Sequence, residues 1–98
     1  MAALIRLEWS AHAVADLERF ALFLRERHPQ MAGIVGAEIQ KKAEILSLHP
    51  RLGRPLQRRI EQYEVVLQVL NATYVLRYGF DGKRLVVLRV FHGRELRE

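Results

Sequence analysis

The sequence predicts an α+β fold that consists of an N-terminal strand, an antiparallel helical hairpin and a three-stranded antiparallel meander. Three observations predict it. Apolar residues recur at spacings of three and four in the first half, prolines bound the second helical stretch, and the second half holds three runs rich in Val, Leu and Tyr. We therefore expect one domain over residues 1–98, with one largely antiparallel four-stranded sheet and helices on one face.

The first elements are a short strand and a long helix. Residues 3–8 partly alternate between apolar and polar side chains, which is typical of a strand. Ser10 suits the N-cap of a helix over 10–27, because its hydroxyl can accept a hydrogen bond from a free amide of the first turn. The predicted buried stripe consists of Val14, Leu17, Ala21 and Leu24 flanked by Ala13 and Phe20, and the predicted exposed side carries Asp16, Arg19 and Glu26.

A second helix is predicted over residues 30–48. It follows His28-Pro29, because proline clashes with the preceding helical turn but suits the first turn of the next helix. Gly33 and Gly36 each cost this helix roughly 1 kcal/mol relative to alanine. We interpret both glycines as points of close packing against the first helix. The residues predicted to be buried are Met31, Val35, Ile39, Ala43 and Leu46.

Three strands follow an irregular, arginine-rich stretch over residues 49–61. Asn71-Ala72 is short enough to join the first two strands as a hairpin, and Asp81-Gly82-Lys83 can join the second two. The predicted strands are 63–70, 73–78 and 84–91.

The two faces of the sheet depend on the register of the last two strands. Side chains alternate along a strand, so a two-residue turn would place Arg77 and Arg89 on opposite faces and bury one of them against the helices. We therefore predict a three-residue turn with Gly82 in the left-handed region, which pairs Leu76 with Leu88. In this register Gln68, Arg77 and Arg89 lie on the uncovered face, and the residues facing the helices are Tyr63, Val65, Leu67, Val69, Tyr74, Leu76, Tyr78, Val86, Leu88 and Val90.

The composition excludes several classes of protein. The chain has no cysteine, which excludes a disulfide framework, a thiolate zinc site and a thiol nucleophile. The four histidines lack metal-ligand spacing and no phosphate-loop pattern occurs, so we expect neither a metal nor a cofactor. The N-terminal residues do not resemble a signal peptide, and no apolar run approaches the ~20 residues of a membrane helix. We expect a soluble, cytoplasmic protein without a membrane partner.

The net charge of +5 and the sequence pI near 10.2 favour an anionic partner, such as nucleic acid or an acidic protein. We predict one basic binding surface, formed by the uncovered face, the arginine-rich stretch and His92-Gly93-Arg94 after the last strand. Phe23, on the charged side of the first helix, is a candidate partner contact. The predicted target- or nucleic-acid-binding residues are Arg51, Arg54, Arg58, Arg59, Arg77, Arg89 and Arg94.

Several short motifs occur in an order and spacing that resemble a known family. The motifs are Trp9, Ala13, Asp16-Leu17, Leu46 through His49-Pro50, Gly53-Arg54-Pro55, YVLRY over 74–78 and LRVFHGR over 88–94. Together they resemble the RelE/ParE superfamily of toxins from type II toxin–antitoxin modules, also known as plasmid stabilisation proteins. The resemblance covers nearly the whole chain. It implies a growth-arresting protein that a cognate antitoxin neutralises, and it leaves a homodimer and a heterotetramer with the antitoxin open.

The resemblance implies two alternative mechanisms. ParE-like members poison DNA gyrase and need no catalytic residues, whereas RelE-like members cut mRNA in the ribosome as endoribonucleases. For the second mechanism His92 would serve as base or acid, Arg77 and Arg94 would hold the phosphate, and Glu64 and Tyr78 would complete a set found in some relatives.

This chain departs from the RelE pattern at two places. Gln68 stands where such nucleases have a basic residue, and the tail over 95–98 has no tyrosine. We therefore predict a ParE-like inhibitor of DNA gyrase with no assigned catalytic residue. A RelE-like nuclease and a non-toxic member that only binds other proteins remain the alternatives.

Overall fold

Residues 4–95, the part of the chain that a computed structural model describes, form a five-stranded mixed sheet with helices on one face. The elements are β1 (Leu7–Trp9), α1 (Ala11–Arg27), α2 (Pro29–Ala32), α3 (Val35–Ala43), α4 (Ile45–Leu48), β2 (Arg54–Pro55), β3 (Gln62–Val69), β4 (Ala72–Phe80) and β5 (Leu85–His92). The strand order is β1-β5-β4-β3-β2, with β1 parallel to β5 and the other pairs antiparallel. The predicted fold class is confirmed, and β2 is a short fifth strand that was not predicted.

The first strand is shorter than predicted. Residues 4–6 precede β1 without strand pairing, and residue 3 of the predicted strand lies outside the described residues. Within residues 4–95 no helix is both long enough and apolar enough to cross a bilayer.

The first helix begins as predicted, but its buried face is rotated. Ser10 is the N-cap, and its Oγ accepts a hydrogen bond from the Ala13 amide at 3.1 Å. Val14, predicted to be buried, is 40% exposed, whereas Asp16, predicted to be exposed, is only 4% exposed. The buried residues of α1 are Ala13, Asp16, Leu17 and Phe20.

The predicted second helix is divided into α2, α3 and α4. Gly33 lies at the first break, and a Cβ at this position would have no neighbour within 4 Å, so its predicted packing role is wrong. A Cβ on Gly36 would lie 3.9 Å from Leu17 Cβ, which agrees with close approach of the two helices. Met31 is only half-buried. Burial is confirmed for Val35, Ile39, Ala43 and Leu46.

A β-bulge sets the register of the last two strands. Near the turn, Phe80 pairs with Leu85. That register, if continued, would place Arg77 opposite Leu88. The register shifts before this point and leaves Leu88 without a partner, so Arg77 faces Arg89. The two arginines share a face as predicted, but the bulge brings this about and the length of the turn does not.

The bulge also changes which side chains of β5 face the helices. The predicted pairing of Leu76 with Leu88 is wrong, since Leu76 pairs with Val90. Val86 and Leu88, predicted to face the helices, lie on the uncovered side, because one inserted residue reverses the alternation over the first half of the strand. The buried aliphatic residues of β5 are Leu85, Val87 and Val90.

The two hairpin turns also differ from the prediction. Leu70 and Asn71 form the β3–β4 turn with φ of 50° and 64°, one residue earlier than predicted. Gly82 has the predicted positive φ of 97°, in a connection that spans residues 81–84. The carboxylate of Asp81 accepts hydrogen bonds from the amides of Lys83 and Arg84, each at 2.8 Å, and closes this turn.

Where β1 ends, residues at the start of α1 form hydrogen bonds to the edge of β5. The Ser10 amide donates to Val87 O at 3.0 Å, and the Ser10 hydroxyl donates to the carbonyl of the bulged Leu88, also at 3.0 Å. Asp16 then accepts a hydrogen bond from the Val90 amide at 2.8 Å and one from Arg89 Nε at 2.8 Å. A side chain thus takes the place of a strand neighbour, which explains why a carboxylate is buried on α1.

Asp16→Asn should lower the free energy of unfolding at neutral pH by about 1–3 kcal/mol, because asparagine can accept from the Val90 amide but carries no charge for Arg89. Burial alone would raise the pKa of Asp16, but the hydrogen bonds from Arg89 and from the Val90 amide outweigh it and lower the pKa. Since the folded pKa is depressed, the charge stabilises the fold above the unfolded pKa and loses this effect as pH falls through the folded value. Urea denaturation of the parent and the variant should show a difference in unfolding free energy that narrows below about pH 4. A difference in unfolding free energy that is independent of pH would contradict this account.

Candidate functional site

An open groove of about 650 Å³ lies between the sheet and the segment over residues 54–59. It is on the face that the helices leave uncovered, since Glu64 and Arg77 pair across β3 and β4 and form part of it. Four arginines and one glutamate are among its lining residues, so its charge is positive. The groove is lined by Arg54, Pro55, Leu56, Gln57, Arg58, Arg59, Glu64 and Arg77.

A buried ion pair forms part of the groove wall. Arg77 donates through Nε and Nη2 to Glu64 Oε2, at 3.0 and 2.8 Å, and both side chains are less than a tenth exposed. The guanidinium of Arg54 lies 3.8 Å from the other carboxylate oxygen of Glu64, and its side chain is exposed. Glu64 therefore holds two arginines, and Arg58 and Arg59 make no ion pair within residues 4–95.

The arginine-bearing segment is anchored to the sheet through Gly53. Its amide donates to the hydroxyl of Tyr78 at 2.8 Å, and the Tyr78 ring stacks on Tyr63 at 5.3 Å between centroids. A Cβ on Gly53 would lie 2.8 Å from the Glu64 carbonyl oxygen and equally close to the Tyr78 hydroxyl, so only glycine fits here. Burial raises the pKa of Tyr78, which keeps the hydroxyl neutral. Tyr78 is therefore an anchor for the groove rather than part of its surface.

Arg89 shares the uncovered face with Arg77 but is not free. Its guanidinium binds the Asp16 carboxylate through Nε and Nη2, at 2.8 and 3.1 Å, and this hydrogen bonding raises the pKa of Arg89. The Phe91 ring lies between the two arginines, with centroid distances of 5.2 Å to Arg77 and 5.0 Å to Arg89. Gln68 is on the same face and donates to the Thr73 hydroxyl at 3.0 Å.

The other predicted binding residues lie elsewhere. Arg51 stacks over the Phe80 ring at 4.8 Å, and Arg94 is exposed beyond β5 beside a second groove of about 470 Å³. Phe23 is 60% exposed on α1, where the guanidinium of Arg27 lies 4.2 Å from the ring centroid. The structure therefore brings together Arg54, Arg58, Arg59 and Arg77 in the groove. Arg89 lies opposite Arg77 on the same face but is bound to Asp16 and does not line the groove, and Arg51 and Arg94 lie elsewhere.

The residues considered for a nuclease do not converge on one point. His92 pairs with Tyr74 and packs edge-on against its ring, so its side chain projects from the face opposite to that of Arg77. The Nδ1 atom of His92 accepts a hydrogen bond from the Arg94 amide at 3.2 Å. Glu64 and Arg77 are the members of the candidate set whose side chains form an ion pair, and they neutralise each other, whereas Arg94 meets His92 through its backbone amide.

Sequence reasoning missed the partners that hold the arginines. Asp16 was assigned to the exposed side of α1, and Glu64 was considered only as a catalytic group. A usable signal existed in β3 and β4, where a hairpin with its turn at 70–71 pairs Glu64 with Arg77. No comparable signal relates Asp16 to Arg89, because these residues are far apart in the chain.

Comparison with known proteins identifies the class that this fold and groove define. The helices lie on one face of a mainly antiparallel sheet and the basic groove on the other. The family model described as ParE toxin of type II toxin-antitoxin system, parDE, matches residues 7–97, and the chain belongs to this family.

One individual relative agrees with this assignment, and one solved structure has a similar fold. The chain is 30% identical over 88 residues to Toxin RelE1 of Caulobacter vibrioides, and the match covers 90% of this chain and 92% of that protein. Its fold matches a solved structure titled chromosomal ParDE TA system from P. aeruginosa with a TM-score of 0.74 and 19% identity, covering 93% of this chain and 98% of that one. The protein is thus a ParE/RelE-type toxin of a toxin–antitoxin system.

Tyr78→Phe should destabilise the protein by about 1–3 kcal/mol, because the buried Gly53 amide loses its acceptor. Hydrogen exchange at the Gly53 amide should accelerate more than exchange in the centre of β4. Tyr63→Phe is the matched control, since the Tyr63 hydroxyl makes no hydrogen bond within the described residues. Equal behaviour of the two variants would mean that the hydroxyl of Tyr78 does not anchor the segment.

Glu64→Gln should cost about 3–5 kcal/mol of unfolding free energy, because it leaves the buried guanidinium of Arg77 without its counter-charge. Glu61→Gln, at an exposed position without an ion pair, is the control. In a double-mutant cycle with Arg77→Met, the double variant should be more stable than the sum of the two single losses predicts. Additive losses would show that the two residues do not act as a pair.

Proposed function

We propose that this toxin inhibits DNA gyrase by binding to it, without cleaving RNA, and that a cognate antitoxin neutralises it. The observation that carries the proposal is the placement of His92 on the sheet face opposite to Glu64 and Arg77. A ribonuclease needs a proton acceptor and a cationic phosphate site within reach of the same phosphodiester. Here His92, at the end of β5, is directed away from the arginine groove.

The state of His92 supports the same conclusion. In a neutral imidazole one nitrogen donates and the other accepts. Nδ1 of His92 already accepts a hydrogen bond from the Arg94 amide, so this nitrogen could take a proton from a substrate only if that hydrogen bond were broken. Tyr78, the other acid–base candidate, is fully buried with its hydroxyl bound to Gly53.

The arginine groove supplies a contact surface for a large partner. Arg58 and Arg59 are exposed and carry no ion pair within residues 4–95, so binding a carboxylate or phosphate there would not require breaking an existing salt bridge. Exposed arginines without partners can pair bidentately with such groups.

A RelE-like endoribonuclease acting in the ribosome remains the second candidate. Its support is the cluster of Arg54, Arg58 and Arg59 on one face, which could hold RNA phosphates, together with the similarity to a protein named Toxin RelE1. In that case the acid and base would have to come from groups other than His92 and Tyr78.

Induction of the chain alone in growing cells, with plasmid supercoiling and transcript integrity measured in the same culture, tests the proposal. We expect relaxed or broken plasmid DNA with intact transcripts, and a purified gyrase supercoiling assay should show direct inhibition. His92→Ala should keep this activity, whereas Arg58→Ser/Arg59→Ser should reduce it. Arg25→Ser/Lys42→Ser removes the same charge from the helices and is the control.

Fragmented transcripts with unchanged supercoiling would overturn the gyrase assignment in favour of the nuclease. Intact DNA, intact transcripts and normal growth at full expression would instead indicate a member of the family that only binds other proteins.

A further inference from the structure

The outer edge of β3 is only partly covered. Arg54 pairs with Glu64 and Pro55 with Tyr63, and β2 ends there. β3 continues to Val69, and no described residue forms a strand beside this second half of its outer edge. Natural sheets usually protect such an edge with charged residues, proline or a bulge. The stretch over 65–69, which reads VVLQV, contains no charged residue and no proline.

The backbone groups at this edge can be assigned from β2 and the segment that follows it. In an antiparallel ladder, both the amide and the carbonyl of alternate residues are directed to the same side. The Gln62 carbonyl accepts from the Leu56 amide at 2.9 Å and the Gln62 amide donates to the Arg59 carbonyl at 3.2 Å, so the residues directed outward are Gln62, Glu64, Val66 and Gln68. Val66 and Gln68 are exposed, and no backbone hydrogen bond joins them to any described residue on this side.

The charges next to this edge are positive. Arg54 is level with Glu64 on β2, and Arg58 and Arg59 line the same groove. Val66 is 59% exposed and projects from the same face as Glu64, two residues further along the strand. An added strand opposite Val66 would therefore direct alternate side chains toward the arginines.

We propose that the β3 edge over residues 65–69, together with Arg54, Arg58 and Arg59, is a docking site for an extended acidic segment of a partner protein. The segment adds a strand beside the second half of β3, in line with β2, and its backbone hydrogen-bonds to Val66 and Gln68. Carboxylates at alternate positions reach the arginines, and the intervening positions are apolar because they lie beside Val65 and Leu67. This site goes beyond gyrase inhibition and does not depend on the identity of the target.

Two features favour a polypeptide over a nucleic acid at this site. A strand supplies amides and carbonyls at the spacing of the free edge, which a sugar–phosphate backbone does not. The lining residues of the groove include no aromatic ring on which a base could stack.

The test begins with selection of peptides from a displayed random library on the full chain. Selected peptides should alternate acidic and apolar residues. Titrated into the isotope-labelled protein, they should shift the amide signals of Val66 and Gln68 and protect both amides from hydrogen exchange. N-methylation of the peptide at one set of alternate positions should weaken binding about tenfold or more, and methylation of the other set should have little effect.

Variants of the protein separate the two parts of the site. Val66→Pro removes an outward amide without removing a hydrogen bond to β4, and it should weaken binding about tenfold, whereas Val66→Thr keeps the amide and should bind like the parent. Arg58→Ser/Arg59→Ser should weaken binding at low salt, and Arg25→Ser/Lys42→Ser should not. Circular dichroism spectra that match the parent show that each variant is folded.

Three results would overturn the proposal. One is failure to select peptides that perturb Val66 and Gln68, and another is equal loss of affinity whichever alternate set is methylated. The third is a labelled single-stranded oligonucleotide that shifts the same amides more strongly than any peptide, which would reassign the surface to nucleic acid.

Discussion

The bulge at Leu88 is the constraint on which the organisation of this protein depends. Without it, the register that starts at Phe80 and Leu85 would place Arg77 opposite Leu88 and send one arginine toward the helices. The start of α1 holds the bulge in place, because Ser10 binds the carbonyl of Leu88. One inserted residue thus decides both which side chains form the core and which charges gather on the uncovered face.

The basic groove depends in turn on charges that are already paired. Arg77 is neutralised by Glu64 and Arg89 by Asp16, so these arginines support the site and contribute less to its free charge than their number suggests. The positive charge that remains available comes from the segment over 54–59, which Gly53 and Tyr78 hold against the sheet. The same segment provides the short β2, so its anchoring also leaves the rest of the β3 edge open.

Much of the fold could be predicted from local patterns, because helices and hairpins depend on residues that are close in the chain. The Ser10 N-cap, the end of α1, the three-stranded meander and the positive φ of Gly82 all follow from such patterns. The breaks in the second helix and the two-residue β2 could not be predicted in this way. The candidate site was predicted only in part, since the sequence indicated the arginines but not which of them are paired.

The sequence by itself determined the fold class, the basic character and the motifs that resemble the RelE/ParE toxins, because these depend on composition and on short-range order. Only the tertiary structure decided which arginines are free, where His92 is directed and which strand edge stays open. Each of these depends on the register of β5 and on contacts across long separations, such as that of Asp16 with Arg89 and Val90. A shift of one residue in that register exchanges the two faces of a strand, and no local pattern in the chain is sensitive to such a shift.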